Sequence, residues 1–280
     1  MEVRMRMETS IIREKQDMTH LNWTRTRGFS GTAGSFLKAY SELNGVKTYY
    51  KLSNYDAVNG VTGHESVNEI IVDRLLTKLG IDHLHYQLIH AAILADGKIL
   101  ETWLCASEDF KKRSETKIAL DQYYNAEKLP DETPLAFCLR QGWADYIWEM
   151  LLVDYLILNR DRHGANMEIL RNSRQKTYRP APLFDHGLSL MCRCADEASL
   201  RAFDVMEDRR VQCFVGSQSA WENLKLIPAD ALSYIHPLKE TDRVDLFRNL
   251  NGILPREWFD KMWEMIWKRW CAYETLCHQK

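Results

Sequence analysis

Two turn signals with one helix between them restrict the fold of this chain more than any other feature. Asn44-Gly45 separates two runs that alternate in the manner of strands, and Asp96-Gly97 separates two more. Such pairs between alternating runs mark tight hairpins, because both residues accept the positive φ that a two-residue turn needs. Between the hairpins, Val67, Ile71, Leu75 and Leu79 recur at every fourth position and form one apolar stripe. Gly80 follows where a left-handed residue ends a helix. The first third of the chain therefore reads as an antiparallel sheet with one helix, Glu65 to Leu79, packed against it.

The strands are expected at Trp23 to Arg27, Ser35 to Glu42, Val46 to Ser53, Leu84 to Ala95 and Lys98 to Leu104. In the third of these, Val46, Thr48 and Tyr50 share one face, and Lys47, Tyr49 and Lys51 share the other. After a connector near residues 105–111 the pattern turns helical. Thr133-Pro134 reads as an N-cap followed by the first helical residue, opening a helical pattern that runs to Leu158 with Gly142 as its break. Short β-like pieces are expected at Met167 to Leu170 and Lys176 to Tyr178, and a Trp-rich helix from about Arg256 to Cys277. Trp258, Trp263, Trp267 and Trp270 there suit core packing. The fold class is α+β, with two lobes. Residues 1–22 are expected to be poorly ordered, 23–110 to form a small β-rich N-lobe, and 111–280 to form a larger helical C-lobe.

Composition narrows the function. The chain has 280 residues, 45% of them hydrophobic, which is enough for a sizeable core. A net charge of −2 gives no electrostatic case for nucleic acid or an anionic membrane as the main partner. The longest apolar stretch, Met150 to Leu158, is interrupted by Asp154 and Tyr155, so no membrane span is expected. Met1 to Lys15 is charged and lacks the apolar core of a secretory signal. The seven cysteines are scattered without a C-x-x-C pair, and Cys192 and Cys194 stand too close for good metal ligation. Reduced thiols in the cytoplasm are the expectation. His83, His85 and His90 lie in a strand-like hairpin without enough convergent ligands for zinc.

Phosphoryl transfer asks for a phosphate cradle, a cation on the phosphates, oxygen ligands for magnesium and a group that positions the nucleophile. The turn Gly28-Phe29-Ser30-Gly31-Thr32-Ala33-Gly34 can offer backbone N–H groups to phosphates, although it is not a Walker A loop. Lys51, near the end of its strand, is the preferred cation, with Lys38 and Lys47 as competitors. A buried lysine wants a carboxylate, and Glu69 or, one turn earlier, Glu65 can supply it. Asp161 and Asn166 stand in D-x-x-x-x-N spacing after a long helical pattern: an aspartate able to orient a hydroxyl and an asparagine able to ligate magnesium. Asp185, at the end of the apolar run Pro182-Leu183-Phe184 and beside His186-Gly187, suits a second metal ligand.

Taken in order, the glycine-rich turn, Lys51, Ser66-Val67-Asn68-Glu69, Asn159-Arg160-Asp161-Arg162-His163-x-x-Asn166 and Leu183-Phe184-Asp185-His186-Gly187 resemble the HipA-like serine/threonine kinases, including their short, single-domain CtkA type. The D-R-H-x-x-N and D-x-G elements are also similar to those of phosphatidylinositol 3- and 4-kinases. The resemblance spans roughly residues 23–190. It implies a two-lobed, protein-kinase-like fold, and ATP and Mg2+ as cofactors, with ATP held by Lys51, Glu69, Gly28, Gly31, Gly34 and the backbone of Ala106 and Ser107. It implies Asp161, Arg162 and His163 in the catalytic loop, and Asn166 and Asp185 as metal ligands. Such kinases can phosphorylate their own glycine-rich loop, which makes Ser30, Thr32 and Ser35 candidates for autophosphorylation. A protein substrate carrying serine or threonine is the implied partner, and a lipid or small alcohol as acceptor, or a nucleotide-binding pseudokinase, are the alternatives. The chain departs from the pattern in three ways. Only about twenty residues precede the first expected strand, so no N-terminal HipA domain, and with it no antitoxin partner, is indicated. His186 stands where protein kinases place Phe, and no Ala-Pro-Glu follows Asp185.

Overall fold

In a computed structural model, residues 10–26 and 33–279 are described. The β-rich part contains β1 (Ile11–Asp17), β2 (Thr24–Thr26), β3 (Ala33–Leu43), β4 (Val46–Leu52), the small pair β5 (Tyr55–Asp56) and β6 (Gly60–Val61), helix α1 (Glu65–Leu79), β7 (Gln87–Ala95) and β8 (Lys98–Glu108). Six strands form one sheet in the order β1-β7-β8-β4-β3-β2. Both hairpins close as their residues dictate. Asn44 and Gly45 have φ of 53° and 77°, and Asp96 and Gly97 have φ of 50° and 74°, so each turn has the primed geometry that matches strand twist.

Residues 11–17 were expected to be poorly ordered. They are instead an edge strand running parallel to β7, the remaining neighbours in the sheet being antiparallel. Ile11 packs against the main core, and the Leu88 N–H donates to the Ser10 carbonyl at 2.7 Å. Arg13 reaches across to the Asn249 and Asn251 carbonyls, both at 2.8 Å. The charged run Arg13-Glu14-Lys15 belongs to an edge strand, where charge protects an open edge.

Helix α1 has the predicted bounds. Gly80 follows in the left-handed region (φ 77°), its N–H closing the last turn. Thirteen of its fifteen residues are buried, so no face of α1 is left to solvent. Its stripe, Val67 to Leu79, belongs to the same hydrophobic core as the helices that follow, whereas Leu37, Leu52, Ile89, Ile93 and Leu104 form a smaller core within the sheet. Each apolar side chain of α1 buried in this way contributes about 1.5–3 kcal/mol. The helix is therefore anchored to the larger part of the molecule as firmly as to the sheet.

The helical part begins after β9 (Glu115–Ala119) with α2 (Leu120–Glu127), α3 (Pro134–Arg140) and α4 (Ala144–Ile157). Thr133 caps α3 by accepting from the Ala136 N–H at 3.2 Å, and Gly142 (φ 79°) separates α3 from α4. From Ile147 on, α4 is almost wholly buried, as its apolar sequence requires. It ends at Leu158 in the left-handed conformation (φ 51°), and a one-turn 3-10 helix, Gly164–Asn166, follows. Strand β10 (Glu168–Asn172) pairs with β9 on one side and with β11 (Thr177–Pro180) on the other in a three-stranded sheet. Short helices α5 (Glu197–Ala202), α6 (Ala220–Lys225) and α7 (Arg243–Leu246) lead to α8 (Arg256–Gln279), whose Trp258, Trp263 and Trp270 are buried as the core reading expected, while Trp267 stacks on Trp263 at its edge.

Candidate active site

The site is assembled from β4, α1, the loop after α4 and the segment after β11. Lys51 lies on β4 opposite Lys38 on one side and Cys105 on the other. Its ammonium contacts Glu69 Oε1 at 3.2 Å and also pairs with Asp185. Burial works against the ammonium charge, but the carboxylates of Asp185 and Glu69 outweigh it and raise the Lys51 pKa above its ordinary value. Lys47 points elsewhere, its ammonium lying 4.1 Å from the Tyr40 ring centroid. Glu65 is turned to the Asn54 N–H at 3.0 Å, so geometry selects Glu69 as the partner of Lys51.

Glu69 is 1% exposed and has further work. Its oxygens accept the N–H groups of His186 at 2.9 Å and Gly187 at 3.0 Å. Burial pushes its carboxyl upward, and Lys51 pulls it back. Beside it, the Asn68 amide donates to the carbonyls of Gly187 and Ser189 at 2.9 and 2.8 Å. Asp185 itself has φ of 59°, a conformation a non-glycine residue holds only under constraint, and its N–H donates to Tyr86 Oη at 3.2 Å. His186 is buried, and that burial keeps its imidazole well below the ordinary histidine range, hence neutral. Burial also pushes the Cys105 thiol up to about 12, so this cysteine is not a nucleophile.

The loop 159–166 is fixed from beneath. Asn159 donates to Asp154 Oδ1 at 2.9 Å and accepts from the Asp161 N–H at 3.2 Å. Residues 160–162 pair with 212–214 through backbone bonds of 2.9–3.2 Å. Asp161 is about one-third exposed on its side chain, with His163 Nε2 3.7 Å from it. The Asn166 amide nitrogen donates to the Asp161 carbonyl at 2.9 Å, which turns its oxygen the other way. His163 faces inward to its own loop, its Nδ1 accepting the Ala165 N–H at 3.2 Å.

Arg162 differs from the sequence expectation of a catalytic group. It is 1% exposed, and its guanidinium makes four hydrogen bonds: two of 2.9 and 2.8 Å to Asp154, one of 3.2 Å to the Asn166 carbonyl and one of 3.0 Å to the Phe184 carbonyl. It braces the loop carrying Asn166 to the segment carrying Asp185. Asp154, Tyr86 and Asn68 were given no role in the site by the sequence. Asp154 gave a signal, being a carboxylate inside an apolar helix that demands a buried cation.

Ala106 pairs with Tyr50 and Gln87, but β7 begins only at Gln87, so Ser107 and Glu108 run on past that neighbour. Nearby, Lys117 pairs with Asp109 at 2.9 Å and lies over the Phe110 ring. Gly28, Gly31, Ser30 and Thr32 lie outside the described residues, while Gly34 and Ser35 fall in β3.

No protein-family profile matches the chain. The serine/threonine-protein kinase CtkA of Helicobacter pylori is 29% identical over 258 residues, covering 89% of this chain and 78% of that protein. A crystal structure of the H. pylori proinflammatory kinase CtkA superposes with a TM-score of 0.61 at 18% identity, covering 95% of this chain and 97% of that one. HipA from Shewanella oneidensis MR-1, in a complex with HipB and operator DNA, matches at a TM-score of 0.42 and 15% identity over 91% of this chain and 64% of that one. The chain is a homologue of the kinase CtkA and has its mixed α/β, kinase-like fold.

Proposed function

We propose that this protein is an ATP- and Mg2+-dependent serine/threonine protein kinase. The observation that carries the reading is the convergence of Lys51, Glu69 and Asp185 beside a loop in which Arg162 holds Asn166 and the Asn166 amide holds Asp161. ATP would lie between the β-rich part, residues 23–110, and the helical part, 111–280, with its adenine against the backbone of Ala106 and Ser107, where β8 runs on past the first residue of β7. Lys51, now on Asp185, has phosphate oxygens as its natural alternative partners, and Glu69 keeps it in place while it exchanges them. Asp161 is exposed enough to accept a hydrogen bond from a substrate hydroxyl and aim its oxygen at the γ-phosphorus. His163, partly exposed beside it, borders the same surface.

The residues fit a hard cation. The Asn166 amide oxygen is directed away from the Asp161 carbonyl by the bond its nitrogen makes, and with the Asp185 carboxylate it provides the all-oxygen set that Mg2+ prefers. Bound there, Mg2+ would neutralise phosphate charge as it develops. Ser30, Thr32 and Ser35, in and beside the glycine-rich turn, are proposed as autophosphorylation sites. The seven scattered cysteines suit work in a reducing compartment, the cytoplasm. No helix among the described residues is long and apolar enough to cross a membrane.

The test is transfer of label from γ-labelled ATP in Mg2+, wild type beside Asp161→Ala and Asp185→Ala. Label on the chain itself or on serine and threonine of a generic protein, absent in both variants, is the expected result. Wild type that binds ATP and labels no protein would overturn the reading. Label on a lipid or small alcohol instead would move the acceptor to another class. Mapping the autophosphorylated residue tests the glycine-rich turn, and label confined to α8 would remove Ser30, Thr32 and Ser35.

A further inference from the structure

The sequence left His83 and His85 without a third ligand, and the fold supplies one from α1. Asp73 Oδ1 lies 2.7 Å from His83 Nε2 and 2.8 Å from His85 Nδ1. The three ligand atoms lie within 4.8 Å of one another. Asp73 and His83 are buried, while the His85 side chain is 39% exposed, so the cluster has one face open to water. His90 is not part of it, since its ring stacks on Trp103.

Hydrogen-bond accounting at His83 points to a cation. Its Nδ1 is 2.7 Å from the Ile81 carbonyl oxygen, which can only accept, so Nδ1 carries a hydrogen. The neutral ring then turns the lone pair of Nε2 towards a carboxylate oxygen 2.7 Å away. Thr77 gives no relief: its hydroxyl, 3.4 Å from Nε2, already donates to the Asp73 carbonyl at 2.8 Å. Two acceptors at that separation need something between them, either a proton shared by His83 and Asp73 or a metal ion. An Nδ1–H bonded to a backbone carbonyl is also the arrangement that orients a histidine with Nε2 towards a metal.

We propose that Asp73, His83 and His85 bind a divalent first-row transition-metal ion of the zinc class, with water completing the coordination on the His85 side. Two imidazoles and one carboxylate suit such an ion, whereas Mg2+ and Ca2+ favour oxygen alone. Bonds of about 2.0–2.1 Å in tetrahedral geometry set the ligand atoms about 3.3 Å apart. The two contacts to Asp73 must therefore open by roughly half an ångström, which the partly exposed His85 ring can provide by turning. The site has a structural consequence. Asp73 stands one turn beyond Glu69 on α1, and Leu84, between the histidines, donates to the Leu183 carbonyl at 2.8 Å. The Leu183 N–H in turn donates to the Asp82 carbonyl at 3.3 Å. An ion here ties α1 to the segment that leads into Asp185, and its binding is independent of phosphoryl transfer.

The full chain, stripped by chelator and kept in millimolar Mg2+ to occupy the oxygen site, is titrated with Zn2+ against a chromophoric chelator and, separately, with Co2+ by visible absorption. One equivalent bound, a Co2+ spectrum of nitrogen and oxygen ligation and a higher melting temperature are expected. His85→Ala, chosen because its side chain is the most exposed of the three, should bind at least about tenfold more weakly. Its metal-free melting curve shows whether it is folded, and Asp73→Asn, which keeps the side-chain shape, repeats the measurement. Equal Zn2+ uptake by wild type and both variants would overturn the proposal. So would a wild type without a visible Co2+ band, or 15N shifts showing a doubly protonated His83 that Zn2+ leaves unchanged.

Discussion

Replacing Arg162 by methionine keeps much of the side-chain length and removes a guanidinium that makes four hydrogen bonds in a nearly waterless position. Asp154, itself 8% exposed, would keep the Asn159 amide but lose its ion pair. Removing one partner of a buried pair costs about 3–5 kcal/mol, chiefly by leaving the other charge uncompensated. The Asn166 and Phe184 carbonyls each lose a charged donor, about 1 kcal/mol apiece. These losses share one site and do not add fully, so about 4–6 kcal/mol is expected. That is a large part of an ordinary domain's total stability of about 5–15 kcal/mol. At about 2–4 °C per kcal/mol for a chain of this size, thermal unfolding followed by circular dichroism should move down by roughly 10–20 °C. Asp154→Leu added to Arg162→Met should restore much of the loss, because an apolar pair does not need the missing charge. If Arg162→Met melts with the wild type yet transfers no phosphate, the residue acts on substrate and the bracing argument is wrong.

Two further outcomes follow from the same geometry. A Cβ at Gly164 would lie 2.5 Å from Asp121 Cβ and 3.1 Å from the Asp121 backbone nitrogen, so Gly164→Ala must displace the loop from α2. It should cost about 1–3 kcal/mol and reduce ATP-dependent labelling, and a variant matching wild type in both melting and labelling would refute this. Burial holds the His64 pKa below its ordinary value in the folded chain, with the Leu190 carbonyl and Glu65 opposing only in part. Below about pH 6.5 the unfolded chain takes up a proton there that the folded chain does not, so stability falls as pH falls, by up to about 1.4 kcal/mol per pH unit. Denaturant titrations between pH 6.5 and 5 should show a flatter decline in His64→Gln, and equal slopes would remove His64 as the cause.

The sequence reached furthest where a local rule decides. Positive φ at Asn44-Gly45 and Asp96-Gly97, the four-residue period of α1 and the stop at Gly80 are all properties of neighbours in the chain, and all were legible. Lys51 could be preferred over Lys47, which shares its strand face, because Lys47 stands nearer the turn, but the choice between Glu65 and Glu69 needed the packing of α1 against β4. Strand β1 was missed because its parallel pairing with β7 joins residues 11 and 88, with no turn between them to announce it. The buried, bracing position of Arg162 was not legible because a polar loop does not reveal which of its cations points inward. The clue lay eight residues earlier, at Asp154 in an apolar helix. Asp73 was invisible as a partner of His83 and His85 for a similar reason: it sits on a buried helix, and only the path of the chain after Gly80 folds the histidines back upon it.

The buried polar residues of α1 explain how a strained centre is kept in place. Asp185 holds a left-handed conformation at a cost of about 1–2 kcal/mol. Flanking backbone is fastened to the helix by Glu69, which takes two N–H groups, and by Asn68, which gives its amide to two carbonyls. Four hydrogen bonds at about 1 kcal/mol each exceed that strain, so the conformation persists without a glycine. The same helix positions Lys51 through Glu69, and its apolar stripe lies in the core of the helical part. The Lys51–Asp185 geometry is thus inherited from the larger core rather than from the sheet that carries Lys51. A change that loosens α1 in that core should therefore disturb Lys51 and Asp185 together, whereas one that loosens the small core around Leu37, Ile89 and Ile93 should disturb Lys51 alone.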